Sequence, residues 1–291
     1  MSSRSLLPIA SRTVDSEMPS PPIKLATKGL SKTFRKGDFH VEALRDVSLS
    51  IGEGEFVSVV GASGCGKTTL LRILDGLIKA SAGTVMVDGK EVTRPGDDRA
   101  FVFQQDGLMP WRTVEANASF GLEVRGRLKE PGLNLARSYL KMVGLSGFEQ
   151  CYPHELSGGM RQRVNIARAL TVEPDILLMD EPFAALDAQT REIMQSDLMR
   201  IWQETRKTVV LITHQIDEAI FLSDRVFVFT ARPGRLKEEI VIDLPRPRSL
   251  AMKRTPEFVG YLDRIWKLIE EEVREGIRRE EQAISAQHAR S

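Results

Sequence analysis

Phe56-Val57-Ser58-Val59-Val60 runs directly into Gly61-Ala62-Ser63-Gly64-Cys65-Gly66-Lys67-Thr68-Thr69, and Leu70-Leu71-Arg72-Ile73-Leu74 follows. The first five residues have the apolar pattern of a buried strand, and the last five open a helix. Between them stand a glycine, four residues, then Gly-Lys-Thr, the spacing of a phosphate-binding loop. The glycines let successive N–H groups turn inward around an anion with no Cβ in the way. The helix start adds free donors and the positive end of its dipole. Lys67 can reach the β- and γ-phosphates of a nucleoside triphosphate, and the Thr68 hydroxyl can take a position on Mg²⁺. A merely glycine-rich turn with a solvated lysine would not need this flanking context. The chain reads as a nucleotide-binding α/β protein.

Outward from the loop, strands and helices alternate. Ala100–Phe103 is a short apolar strand with Gln104 at its end, and Asp175–Asp180 is another that closes on Asp180-Glu181. Thr208–Thr213 runs into His214, Arg225–Phe229 follows, and helices are expected over 188–205 and 216–223. Such alternation implies a parallel sheet with its ligand at the carboxyl ends of the strands. Upstream, strands from Ile23 and over 41–51, with a hairpin turning at Asp88-Gly89, make an antiparallel β subdomain. Phe34 falls in a loop-like Lys-Thr-Phe-Arg-Lys-Gly run. Residues 105–160 form an inserted helical subdomain, with one helix expected over 114–124 and another over 133–143. The fold class is therefore a P-loop NTPase core, mainly parallel, with an antiparallel β subdomain and a helical insertion.

The ATPase domain spans 23–230, and a strand and helical extension spans 231–291. The latter carries the stripe Phe258, Leu262, Ile265, Ile269, Val273 and Ile277 and frays after about Gln282. Residues 1–22, rich in Ser and Pro, read as a disordered tail. A net charge of +1 over 291 residues gives no global case for nucleic-acid binding. Two distant cysteines, Cys65 and Cys151, make no disulfide framework, and the helix start beside Cys65 is expected to favour its thiolate. No apolar run approaches the roughly 18 residues of a membrane span, so any membrane is met through a partner.

Several strand ends can serve a triphosphate. Asp180 can hold a magnesium-bound water, and Glu181 can orient the attacking water in line with the γ-phosphate. Gln104 can offer its amide oxygen to Mg²⁺ or the water, and His214 can donate to the γ-phosphate. Leu156-Ser157-Gly158-Gly159, followed by Gln162, supplies a second anion site at a helix start. One triphosphate does not need two such sites in one chain. Two copies facing head to tail resolve this, each nucleotide lying between one Lys67 loop and the other Ser157 helix.

The chain resembles the nucleotide-binding subunits of ATP-binding-cassette (ABC) transporters from about Ile23 to Phe229. It has the Walker A loop at 61–69, the Q-loop at Gln104, the signature at 156–162, Walker B at 176–180 with Glu181, the D-loop Asp187 and the switch His214. The resemblance implies that Glu181 is the catalytic base, that Asp180 and Thr68 serve Mg²⁺, and that Asp187 links the two halves of an ATP-bound homodimer. It also places Phe34 where an aromatic stacks on adenine. Gln104-Gln105-Asp106-Gly107-Leu108-Met109-Pro110-Trp111 and Arg232-Pro233-Gly234-Arg235 are similar to nitrate, sulfonate and taurine importers, although Gln215 departs from the usual Asp. That subfamily implies peripheral attachment at the cytoplasmic face of the inner membrane, permease partners and, indirectly, an extracytoplasmic solute-binding protein. Leu108, Met109 and Trp111 are expected to form an exposed coupling surface. The ATPase of another ABC importer or of an exporter, a non-hydrolysing nucleotide sensor and a repair or ribosomal ATPase are the alternatives. Repair members carry a long coiled coil where only about fifty residues separate Gln104 from Ser157 here, and ribosomal members usually carry two cassettes.

Overall fold

A computed structural model of the chain describes residues 22–37 and 39–288, so the expected tail before Pro22 lies outside the described residues. β1 (Ile23–Lys36) and β2 (Phe39–Gly52) form a long antiparallel pair. β3 (Phe56–Gly61) leads into α1 (Lys67–Asp75), then β4 (Ala82–Val87), β5 (Lys90–Glu91) and β6 (Arg99–Val102). The helical insertion holds α2 (Val114–Ala118), α3 (Phe120–Val124) and α4 (Glu130–Met142) and leads into α5 (Gly158–Thr171). β7 (Ile176–Asp180), α6 (Ala188–Thr205), β8 (Thr208–Ile212), α7 (Ile216–Leu222) and β9 (Arg225–Phe229) complete the alternation. β10 (Leu236–Val241) and α8 (Pro256–His288) follow.

The main sheet has the order β10-β9-β3-β8-β7-β6, parallel except for β10. A smaller antiparallel sheet has the order β2-β1-β4-β5. Side chains alternate across the main sheet and fill two cores. Val57, Val59, Leu178, Val210 and Phe227 face α1 and the small sheet. Phe56, Val60, Met179, Leu211 and Val228 face the helices. Burial on both faces explains why these strands read as unbroken apolar runs.

Three local expectations change. β1 does not stop before Phe34: it continues to Lys36, with Phe34 opposite Val41. Pairing with β2 supplies the ladder that the charged local sequence did not advertise. The helix expected over 114–124 breaks at Ser119, whose hydroxyl donates to the Glu115 carbonyl at 2.8 Å while the residue starts α3. The last helix runs to His288 rather than ending near Gln282. In its stripe Phe258 and Ile265 are buried but Val273 is exposed. The Asp88-Gly89 turn is as expected, with φ of 49° and 71° at its two positions.

The segment between β10 and α8 is bound to α7 by a buried arginine. Arg248 donates to the main-chain carbonyls of Ile220, Phe221 and Ser223 at 2.8, 3.2 and 2.7 Å, and to Ile242 at 3.2 Å. Burial lowers its pKa to about 10, so it remains a cation at neutral pH and caps the carbonyl end of α7.

Candidate functional site

The strand order builds the site. β3, which delivers the phosphate loop, lies between β8 and β9, and β7 is next to β8. Lys67, Asp180-Glu181 and His214 therefore leave adjacent strands at the same edge. Gln104 follows β6, the outer strand beyond β7, and lines a separate groove.

α1 begins without a side-chain cap, so its first-turn N–H groups remain available to an anion. Gly66, at φ 102°, is required twice over: a Cβ there would lie 2.5 Å from the Ala43 carbonyl of β2. The Lys67 ammonium is buried and donates to the Gly61 and Ala62 carbonyls at 2.9 and 3.0 Å. Thr68 Oγ1 donates to Asp180 Oδ1 at 3.1 Å. Burial raises the Asp180 pKa above the usual carboxylate range, and the Thr68 hydrogen bond opposes the rise.

Glu181 has a left-handed backbone, φ 46°, and its N–H donates to the Ile212 carbonyl at 2.9 Å. A non-glycine residue held there carries strain of about 1–3 kcal/mol, and here the turn brings the carboxylate to the cavity. Glu181 Oε2 lies 3.1 Å from His214 Nδ1, a hydrogen bond that forms when this ring nitrogen carries the proton. Phe34, Lys67, Thr68, Glu181 and His214 line one cavity of about 570 Å³, within the range of about 300–1,000 Å³ typical of small-molecule sites. Val41, Ala43 and Arg232 line it too and were missed. Val41 was legible as the cross-strand partner of Phe34 once β1 was extended. Arg232 belonged to a motif noted only for its resemblance.

Cys65 is fully buried, and burial raises its thiol pKa despite nearby Lys67, so the expected thiolate is not supported. Maleimide at neutral pH should label half-buried Cys151 first, with Cys65 modified at least about tenfold more slowly. Peptide mapping over time checks this, and faster labelling at Cys65 would show that the loop opens readily.

A second groove, about 430 Å³, is lined by Gln104, Gly158, Gln162 and Ala185. Gln162 is buried there with its Nε2 unpaired. Ser157 caps α5 by accepting from the Met160 N–H at 3.3 Å. Leu156 is buried; Gly158 is exposed; Gly159 is buried where a Cβ would meet Thr190 of α6 at 2.7 Å. Helix packing thus accounts for one glycine of the pair. Asp187 caps α6, and its bond from the Thr190 N–H at 3.0 Å holds its carboxyl below the usual range. Within one chain, neither Gln104 nor the Ser157 helix start lines the Lys67 cavity.

Among Leu108, Met109 and Trp111, only Trp111 is strongly exposed, at 73%, while Leu108 is buried. The segment is held by side-chain hydrogen bonds. Buried Asn117 accepts from the Met109 N–H at 2.8 Å and donates to the Met109, Arg112 and Thr113 carbonyls.

The ABC transporter family model matches residues 44–184. An uncharacterized ABC transporter ATP-binding protein of Methanocaldococcus jannaschii is 54% identical over 251 residues, 86% of this chain and 93% of that protein. A nitrate import ATP-binding protein of Synechocystis sp. is 48% identical over 246 residues, covering 82% and 92%. A solved dimeric ATP-binding cassette in a post-hydrolysis state, bound to ADP and Pi, is 36% identical with a TM-score of 0.67, covering 76% of this chain and all of that one.

Proposed function

The chain belongs to the ABC transporter family and is an ATPase coupled to transport; we propose that it powers import of a small anionic solute, of the nitrate, sulfonate or taurine type. The carrying observation is the Glu181–His214 pair, 3.1 Å apart, in the cavity that also holds Phe34, Lys67 and Thr68. Adenine stacks on Phe34, and the loop from Gly61 to Thr69, with the α1 start, takes the triphosphate. Glu181 orients and deprotonates the attacking water. His214 holds that carboxylate through Nδ1 and presents its other nitrogen to the γ-phosphate. Thr68 and Asp180 are hard oxygen donors at the loop end and suit Mg²⁺, which keeps several water and phosphate ligands. Among the described residues no cluster of three His, Cys, Asp or Glu side chains forms a fuller metal cage. When bound, the ion neutralises charge on the β- and γ-phosphates.

Two copies close head to tail over ATP, each lending its Ser157 helix start and Asp187 to the other. The similarity to a dimeric cassette and the separation of the two sites within one chain support this. Gln104 lines the groove of the Ser157 helix start, shortly before the Trp111 loop in the chain, and carries closure to the permease. No helix among the described residues is long and apolar enough to cross a membrane. In this proposal the subunit works from the cytoplasmic face against a permease, as the importer relatives suggest. A solute-binding protein delivers cargo on the far side. Trp111 is the permease anchor: a large exposed aromatic on a pinned loop suits a partner pocket.

Trp111→Ala should leave the fold and the ATPase of the isolated subunit within about twofold. It should weaken co-purification with the neighbouring permease by at least about tenfold, a contact energy of at least about 1.4 kcal/mol, and reduce solute uptake in cells. Normal assembly and uptake in the variant would move the coupling surface elsewhere.

A further inference from the structure

Arg232-Pro233-Gly234-Arg235 forms the turn between β9 and β10, and its first residue lines the nucleotide cavity. Arg232 donates from Nε and one terminal nitrogen to the Gly64 carbonyl at 3.2 and 3.1 Å. Gly64 is the middle glycine of the phosphate loop, so this guanidinium grips the loop itself. A guanidinium carries five N–H donors in a fixed fork. Two are engaged here, and among the described residues no acceptor takes the other three.

The turn is tied down on three sides. Thr230 Oγ1 donates to the Pro233 carbonyl and accepts from the Arg235 N–H, both at 3.0 Å. The Gly234 N–H donates to the Ala43 carbonyl at 2.9 Å, and the Arg45 N–H donates to the Gly234 carbonyl at 3.0 Å. A Cβ at Gly234 would lie 2.1 Å from the Cys65 carbonyl, so only glycine lets the turn sit this close to the phosphate loop. The Ala231 N–H donates to Glu272 Oε2 of α8 at 2.9 Å, and Lys237 holds the other oxygen of Glu272 at 2.9 Å. A cation fixed this firmly loses little freedom when it meets an anion.

Lys67 is buried inside the loop, whereas Arg232 is exposed at its outer side. A triphosphate brings several negative charges to this one cavity, and one buried lysine faces only part of them. We propose that Arg232 is a second cationic nucleotide-binding residue, donating to the phosphate chain of the bound nucleotide while it holds the Gly64 carbonyl. This rests on ATP occupying the Lys67 cavity.

The full chain is titrated with fluorescent analogues of ATP and AMP, comparing the parent with Arg232→Ala and Arg232→Lys. Arg232→Ala should weaken ATP binding about tenfold, as loss of a charge-assisted hydrogen bond does. AMP binding should change by less than about twofold, because most phosphate oxygens are missing. Arg232→Lys should recover part of the loss, since it restores charge but not the fork. In steady state the KM for ATP should rise more than kcat falls. Equal weakening for ATP and AMP, or parent-like ATP affinity in Arg232→Ala, would overturn the proposal. If the alanine variant fails to fold, the lysine variant alone decides: unchanged ATP affinity overturns it, and selective weakening for ATP supports it. A parent chain that binds no ATP would instead refute the reading on which the inference rests.

Discussion

Replacing Glu181 by glutamine is expected to cut steady-state ATP hydrolysis by about 10²–10³-fold while leaving ATP binding intact. An amide keeps the size and the hydrogen-bonding reach of the carboxylate but cannot take a proton from water. The φ of 46° at residue 181 costs Gln as much as Glu, so the turn should persist. Removing the negative charge beside the γ-phosphate should also steady the closed dimer, which would elute as a dimer with ATP on gel filtration. Nucleotide titration, turnover and elution measured together check the assignment. Turnover within tenfold of the parent would mean that another group activates the water.

Glu218→Gln should make the protein more stable, and by more at higher pH. Glu218 of α7 is buried, with Oε1 unpaired and Oε2 accepting from Gln195 Nε2 at a long 3.4 Å. Burial, reinforced by Asp217, pushes its pKa from 4.5 to about 8, against the opposing influence of Arg191, Gln195 and Thr213. The folded protein thus holds this proton up to about pH 8, while the unfolded chain releases it near 4.5. Stability associated with Glu218 is full below about pH 4.5 and falls as pH rises towards 8, because the unfolded state binds fewer protons there. Glutamine does not titrate. The variant should gain on the parent by up to about 1.4 kcal/mol for each pH unit in that window. Urea unfolding at pH 5.5 and 7.5 measures the gap, expected to widen by up to about 3 kcal/mol. An equal gap at both pH values would show that Glu218 is already ionised in the fold.

The alternating pattern was legible because the main strands are buried on both faces and the helices between them are amphipathic. Helix α6 and strand β9 match their sequence-derived limits. The phosphate loop, Asp180, Glu181 and His214 were legible because each ends a strand, and adjacent parallel strands deliver their ends to one edge. Phe34 was placed in a loop because Lys and Arg flank it, and only the distant strand β2 makes that run extended. Leu108 was read as surface because a loop was expected to expose its apolar residues, yet it packs into the core beneath a pinned turn. The contacts of Arg232 and Arg248 went unread in the sequence for a common reason. Each acts on main-chain carbonyls remote in sequence, and a carbonyl leaves no mark on which residue occupies its position.

Arg248 bears on how the chain is made. It emerges from the ribosome 25 residues after Ser223, whose carbonyl it captures at the end of α7. Synthesis at about 5–20 residues per second makes that a delay of seconds. By the end of that interval every residue that lines the Lys67 cavity has been translated, while the terminal carbonyls of α7 still lack this donor. The nascent chain therefore holds the residues of the Lys67 cavity before it holds the arginine that caps α7, and the two are separated in time by the order of translation alone.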